Sequence, residues 1–317
     1  MSLYLADLIT EVRNHTENSD FSDTIGIQNS EFVRFINDGQ ARLHSLIVQQ
    51  HMNAFLAEKD IDVVNGQEAY PYPNDIYLNS RVTQIMYKHT SDNENFFPLK
   101  PSHLINRRPG QEGRPSRYIR QASTFLINPI PSGAGSGAKL KISYTKAIPR
   151  LDLRRAVVGS VTLDASARTI TSLTLNVSTE TIDIDPIQKY NYFCIVDKNG
   201  NQKMTHIPYD AIDTTTGAVT ISSGFQFEEG ETIEVSDYLV PGKNSSTHSE
   251  FPESVERYLI SYAGWKILRR DSSVDFQDQQ LELTEMENEI VAAYADLLDD
   301  IYEVPLVNDD IDWFGWF

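Results

Sequence analysis

Cysteine is almost absent from this chain: Cys194 is the only one in 317 residues. A lone cysteine closes no internal disulfide, so the fold has to rest on packing and hydrogen bonds. Cations are scarce too, with 27 Lys and Arg against 45 Asp and Glu and a net charge of -18. That balance excludes a broad nucleic-acid-binding face, which needs clustered Lys and Arg. An acidic wall that repels phosphate nonetheless suits a duplex sliding past without sticking. No apolar run is long enough to span a bilayer. The first residues, Met1-Ser2-Leu3-Tyr4-Leu5-Ala6-Asp7, lack the basic start and unbroken apolar stretch of a signal peptide. The expectation is a soluble chain made in a reducing cytoplasm, with the sequons at Asn14, Asn176 and Asn244 as chance matches.

Signatures of catalysis are missing as well. There is no Gly-x-Ser-x-Gly, no phosphate-binding loop and no dinucleotide fingerprint. Ser132-Gly133-Ala134-Gly135-Ser136-Gly137 is glycine-rich, but no Lys and no helix start follow it, so it reads as a flexible loop. The seven histidines are scattered. His44 and His51 share a helix face, without the further ligands that a metal requires, and read as polar surface residues. Asp183 with Asp185, and Glu228 with Glu229, have the chemistry for calcium or for glycosidase carboxylates; in so acidic a chain, chance proximity is the simpler account. Cys194 lies in Tyr192-Phe193-Cys194-Ile195-Val196, where it reads as a small buried residue. We therefore expect no enzyme, no cofactor and no metal.

Amphipathic patterns mark both ends of the chain. Leu5, Leu8, Ile9 and Val12 recur at helical spacing, and a second stripe runs through Phe32, Phe35, Ile36, Leu43, Leu46 and Ile47 behind a candidate N-cap at Ser30. A third helix is expected after Pro252, with Val255, Leu259 and Tyr262 on one side. A fourth carries Phe276, Leu283, Met286, Ile290, Tyr294, Leu297 and Ile301 in a near-heptad stripe. Between them lie strand patterns: Arg117–Arg120 and Phe125–Ile127 as a hairpin, then the alternating run Leu140–Tyr144. From about Leu153 to Val240, Thr, Ser, Val and Ile dominate with recurrent turn signals, of which Asp197-Lys198-Asn199-Gly200-Asn201 is the strongest. Gly242-Lys243-Asn244-Ser245-Ser246 reads as a linker out of that region.

One order of elements carries a resemblance. A helix ends in Phe55-Leu56; then follow Ile61-Asp62-Val63-Val64, Gly66-Gln67, Tyr70, and Pro73 with Asp75. Arg117-Tyr118 and Asn128-Pro129-Ile130-Pro131 come next, then Leu140-Lys141-Ile142-Ser143-Tyr144-Thr145 before Ile148-Pro149, and a helical pair closes the chain. Over Ser2 to Arg150 and Ser249 to Asp300 this resembles the head-to-tail adaptor (neck or connector) proteins of tailed bacteriophages. The resemblance implies a ring, usually twelvefold, beneath the portal, extending the DNA channel and receiving the tail or next neck protein. DNA would pass without specific binding, no membrane would be involved, and the chain would reside in the virion neck after assembly in the host cytoplasm.

The expected fold class is α+β: a helical bundle formed by the N- and C-terminal helices, with a small β region and an inserted β-sandwich or barrel-like module. The expected domains are residues 1–152 as the first part of the core, 153–241 as the inserted module, 242–302 as the closing helices and 303–317 as a docking tail.

Three candidate partner-binding features stand out. In Tyr70-Pro71-Tyr72-Pro73 the prolines fix φ and push the tyrosines toward extended backbone. The result reads as a stiff exposed arm that either covers a core edge or contacts another subunit. Arg107, Arg108, Arg114, Arg117 and Arg120 crowd a loop of an otherwise acidic chain. They suit a carboxylate-bearing neighbour or portal, DNA phosphates, or solvent alone. The C-terminus ends in an acidic spacer and Trp313-Phe314-Gly315-Trp316-Phe317. Burying each ring contributes about 1.5–3 kcal/mol, against about 1–2 kcal/mol to order each residue. The rings either dock on a portal groove or neighbouring subunit, or fold back on their own core. Rival readings are another virion part, a receptor- or glycan-binding protein using Tyr190, Tyr192 and Tyr209 of the β module, and a hydrolase using Asp183 and Asp185.

Overall fold

The computed structural model describes residues 4–16, 28–51, 54–79, 82–90, 95–107, 109–133, 137–177, 182–183, 187, 189–228, 230–270 and 276–299. Among them are four α-helices: α1 (Leu5–His15), α2 (Asn29–Gln50), α3 (Glu253–Arg270) and α4 (Phe276–Asp299). Each buries the face its apolar spacing marks. Leu5, Leu8, Ile9 and Val12 of α1 meet Phe32, Phe35, Ile36, Leu43 and Ile47 of α2, Val255, Tyr258 and Leu259 of α3, and Leu283 of α4 in one core. The cap of α2 differs from expectation: the helix begins at Asn29 after Gln28, with no side-chain capping bond. The helices approach closely at Gly39, where a Cβ would lie 2.8 Å from the Tyr262 ring.

The expected helical bundle with a small β region is overturned by the sheets. Two four-stranded sheets, one six-stranded sheet and two two-stranded ladders make the protein β-rich. Long helices announce themselves by periodicity. Strands of two to five residues, such as Phe97–Pro98 and Tyr192–Val196, hold too few alternations to do so.

In the first four-stranded sheet the order is Leu56–Asp62, Lys139–Thr145, Val82–Lys88, Phe97–Pro98. In the second it is Ala69–Pro71, Thr124–Asn128, Arg117–Arg120, Lys100–Ser102, the last strand running parallel to its neighbour. Ile85, Tyr87, Leu140, Ile142 and Tyr144 of the first pack with Tyr70, Tyr118, Phe125 and Ile127 of the second.

The six-stranded sheet runs Thr169–Leu175, Ala156–Asp164, Tyr238–Pro241, Tyr192–Val196, Gln202–Ile212, Val219–Ile221. Its two outer strands meet: Thr174 bridges to Ala218, and the Leu175 N–H donates to the Gly217 carbonyl at 2.7 Å. The sheet thereby closes into a small barrel and loses its open edges. Gly217 is required at this seam, with φ +75 and a Cβ position only 2.2 Å from the Leu175 carbonyl oxygen. Leu173, Phe193, Ile195, Met204, Ile207 and Leu239 fill the interior.

The expected linker Gly242–Ser246 is instead packed structure. Ser245–Ser246 forms a parallel ladder with Arg150–Leu151, and Ser245, Ser246 and Thr247 are buried. A Gly-Asn-Ser composition mimics a loop, whereas its burial comes from residues almost a hundred positions earlier in the chain. One face of α2 holds the partner strand. Asn37 Nδ2 donates to the Leu151 carbonyl at 2.8 Å, Gln40 Nε2 to the Pro149 carbonyl at 2.7 Å, and His44 Nε2 to the Lys146 carbonyl at 3.1 Å.

Gly39→Ala tests the close packing of α2 on α3. Helix propensity alone would stabilise the variant by about 1 kcal/mol. Overpacking against Tyr262 is expected to reverse this and lower stability by about 1–3 kcal/mol, read as a lower denaturant midpoint.

Candidate functional site

The basic segment contributes the last two strands of the second four-stranded sheet, Lys100–Ser102 at its edge and Arg117–Arg120 beside it. Arg107 forms a bidentate pair with Glu68, at 2.8 and 2.6 Å, and is thereby tied to its own chain. Arg120 donates to the Val82 carbonyl at 2.8 Å and to the Tyr118 hydroxyl at 3.3 Å. Arg114 and Arg117 are exposed, as is Lys100. Lys100 pairs in register with Arg117, and the Arg114 guanidinium lies 4.7 Å from the Phe97 ring centre. Arg108 lies outside the described residues.

Phe97 lies under the Arg114 guanidinium, and two further apolar side chains, Leu104 and Ile105, follow the Lys100–Ser102 strand in the same segment; the sequence reading singles out none of the three. Phe97 is 46% exposed, Leu104 57% and Ile105 90%. Leu104 and Ile105 occupy a single 3-10 turn, Leu104–Asn106, with no buried residue. The available signal was an apolar pair between His103 and Asn106 in a Pro- and Arg-rich loop. Isolated exposed apolar residues are ordinary; exposed apolar and cationic residues sharing one short segment, residues 97–117, have the composition of a contact surface.

The exposed tyrosine arm is corrected. Tyr70 is buried and stacks on Phe125 at 5.8 Å, with Tyr72 packed on the same ring at 5.6 Å. The Tyr70 hydroxyl accepts from the Val64 N–H at 3.2 Å. Prolines do set an extended backbone here, but the Ala69–Pro71 strand pairs with Thr124–Asn128 and turns the rings inward. Trp313, Phe314, Trp316 and Phe317 lie outside the described residues.

The groups weighed for chemistry are engaged in structure. Asp183 pairs with Arg155 at 2.7 Å, and Glu228 with Lys59 at 2.5 Å; Asp185 and Glu229 lie outside the described residues. Tyr209 donates to the Ile187 carbonyl at 2.7 Å, while Arg150 covers the Tyr190 ring and Lys243 the Tyr192 ring. Cys194 is buried and its thiol is pushed up to about 11 by that burial. Among the described residues no group of three or more His, Cys, Asp or Glu is placed to hold a metal. No helix there is long and apolar enough to cross a membrane.

His44 is not on a helix surface, as its polarity suggested, but buried between Phe55 and Tyr77, each ring 4.5 Å away. Burial lowers its pKa to about 4, with the bond to the Lys146 carbonyl acting the other way. Glu287 is also enclosed, accepting from Arg42 at 2.5 and 2.9 Å and from the Tyr258 hydroxyl at 2.7 Å. Its burial works to raise the pKa, and these donors outweigh that and bring it below the usual carboxylate value.

With the edge and its surroundings described, comparison with known families decides the affiliation. The family model described as SU10 adaptor protein matches residues 4–177, more than half of the chain. The chain belongs to the SU10 adaptor family. It is thus a phage structural adaptor protein and a virion component. The matched span differs from the resemblance read from the residues. It runs past Arg150 through the first barrel hairpin, Ala156–Asp164 with Thr169–Leu175, and stops before α3. No curated protein matches the chain.

The buried imidazole gives a pH prediction. Below a pH of about 6.5 the unfolded chain takes up a proton at His44 that the folded chain refuses until about 4. Stability therefore falls as the pH drops through that window, by on the order of 3 kcal/mol when complete. His44→Gln is expected to reduce this slope without abolishing it, because burial also lowers the pKa of His206 and His248. Denaturant unfolding between neutral and acidic pH checks this. An unchanged slope in the variant would remove His44 from the account.

Proposed function

We propose that the chain is the subunit of a head–tail connector ring that sits beneath the portal, extends the DNA channel and docks the tail or the next neck protein. The observation that carries this reading is the adaptor-family match over residues 4–177. Two physical features support it. The net charge of -18 suits a conduit that lets DNA pass without holding it. The exposed edge around Lys100, Ile105 and Arg117 differs in charge from the rest of the chain, as one face of a heterologous ring contact must. The barrel of residues 156–239 is an accessory module on this reading, and residues 303–317 are a docking tail. The receptor- or glycan-binding alternative would use Tyr190, Tyr192 and Tyr209, of which Tyr209 bonds the Ile187 carbonyl while Arg150 and Lys243 lie over the other two rings.

The test is a chain ending at Glu303. It is expected to melt with the full-length protein and to fail to remain on portal-bearing heads in co-sedimentation. Full retention on the heads would contradict the docking role. A large loss of melting temperature would assign the terminal aromatics to the chain's own core.

A further inference from the structure

The exposed edge is built from two chemistries at once. Lys100 and Arg117 supply positive charge, and Phe97, Leu104 and Ile105 supply apolar surface. A fitting partner must be acidic and aromatic together. Residues 300–317 have that composition: Asp300, Glu303, Asp309, Asp310 and Asp312 precede Trp313-Phe314-Gly315-Trp316-Phe317.

We propose that residues 300–317 of one copy of this chain dock on this edge of the next copy, rings against Leu104 and Ile105 and carboxylates facing Lys100 and Arg117. The proposal rests on the ring reading above. A closed ring needs a heterologous contact, which sets this segment on the neighbouring copy. Tyr294, in the last turns of α4, packs against Phe55 with ring centres 6.0 Å apart, which sets that part of the helix beside the start of Leu56–Asp62. That strand is one edge of the first four-stranded sheet, and Phe97–Pro98 is the opposite edge. Copies set side by side in one orientation place the departing segment of each against the basic edge of the next. Repetition of such a heterologous contact closes a ring.

Charge argues the same way. Copies that each carry -18 repel one another at long range, so association needs local opposite charge where they touch. The edge and the acidic segment supply it, and the rings add apolar burial that salt does not screen. Reach is ample, since residues 300–317 span up to roughly 60 Å when extended.

The test mixes two full-length variants, Ile105→Cys in one copy and Phe314→Cys in the other, under mild oxidation. Cys194 is buried and stays out of the reaction. Ile105 is exposed on its turn, so its replacement leaves the core untouched, and Leu104→Cys serves as a second probe of the same site. The expected result is a disulfide-linked heterodimer that forms about tenfold or more faster than when Phe314→Cys is paired with Ser166→Cys on an exposed barrel loop. Added salt of about 0.5 M should slow it. A rate no greater than the control overturns the proposal, as does cross-linking confined within single chains when a variant carrying both Ile105→Cys and Phe314→Cys is oxidised. Light scattering on the same mixtures separates the two claims. A ring that forms without the cross-link sinks the tail contact and leaves the connector reading; the cross-link without any ring does the reverse.

Discussion

Three polar side chains on one face of α2 tie the parts of this protein together. Asn37, Gln40 and His44 are spaced so that all three look the same way along the helix. They bind the carbonyls of Leu151, Pro149 and Lys146 in turn. The segment they hold links the strand Lys139–Thr145 to the barrel, and its far end pairs with Ser245–Ser246 as the chain leaves the barrel for α3. Gln40 also accepts from the Ser249 hydroxyl, so one residue fixes both crossings. These bonds sit at a partly buried junction of helix, sheet and barrel, where an unmatched buried carbonyl would cost about 1–3 kcal/mol. The position of each body on the others follows from satisfying them.

That junction sets where the surfaces point. The sheets fixed beside α2 carry the edge with Lys100, Ile105 and Arg117, and α4 packs over Phe55 at the opposite side. Internal ion pairs absorb part of the charge: Arg42 with Glu287, Arg107 with Glu68, Arg155 with Asp152 and Asp183. The chain as a whole stays strongly acidic, and the edge around Lys100 and Arg117 departs from that balance. For a ring around DNA this is a coherent division, with repulsion toward the duplex and attraction confined to the contact between copies.

The parts legible in the sequence are those governed by local rules. Leu5, Leu8, Ile9 and Val12 mark a buried helix face because the helical period is short against the helix length. The turn at Gln121–Ser123 and the Asp197 side chain, which accepts from the Asn199 and Asn201 N–H groups, close hairpins within a few residues. The β-rich character was hidden because it depends on distant pairing: Glu112–Gly113 with Ile130–Pro131, Arg150–Leu151 with Ser245–Ser246, and the Thr174–Ala218 seam. The site was half legible. A cluster of arginines can be counted in a sequence, but that Arg107 belongs to Glu68 while Arg117 faces out is decided by tertiary packing. Tyr70 and Tyr72 show the same limit, since proline sets their backbone and Phe125 sets the direction of their rings.

The measurement that bears most directly on the central claim is the copy number of this chain in purified particles, by quantitative mass spectrometry against the major capsid protein. A connector ring predicts about twelve copies per particle, one closed cycle. Absence from particles, or copies in numbers comparable to the capsid protein, would contradict it.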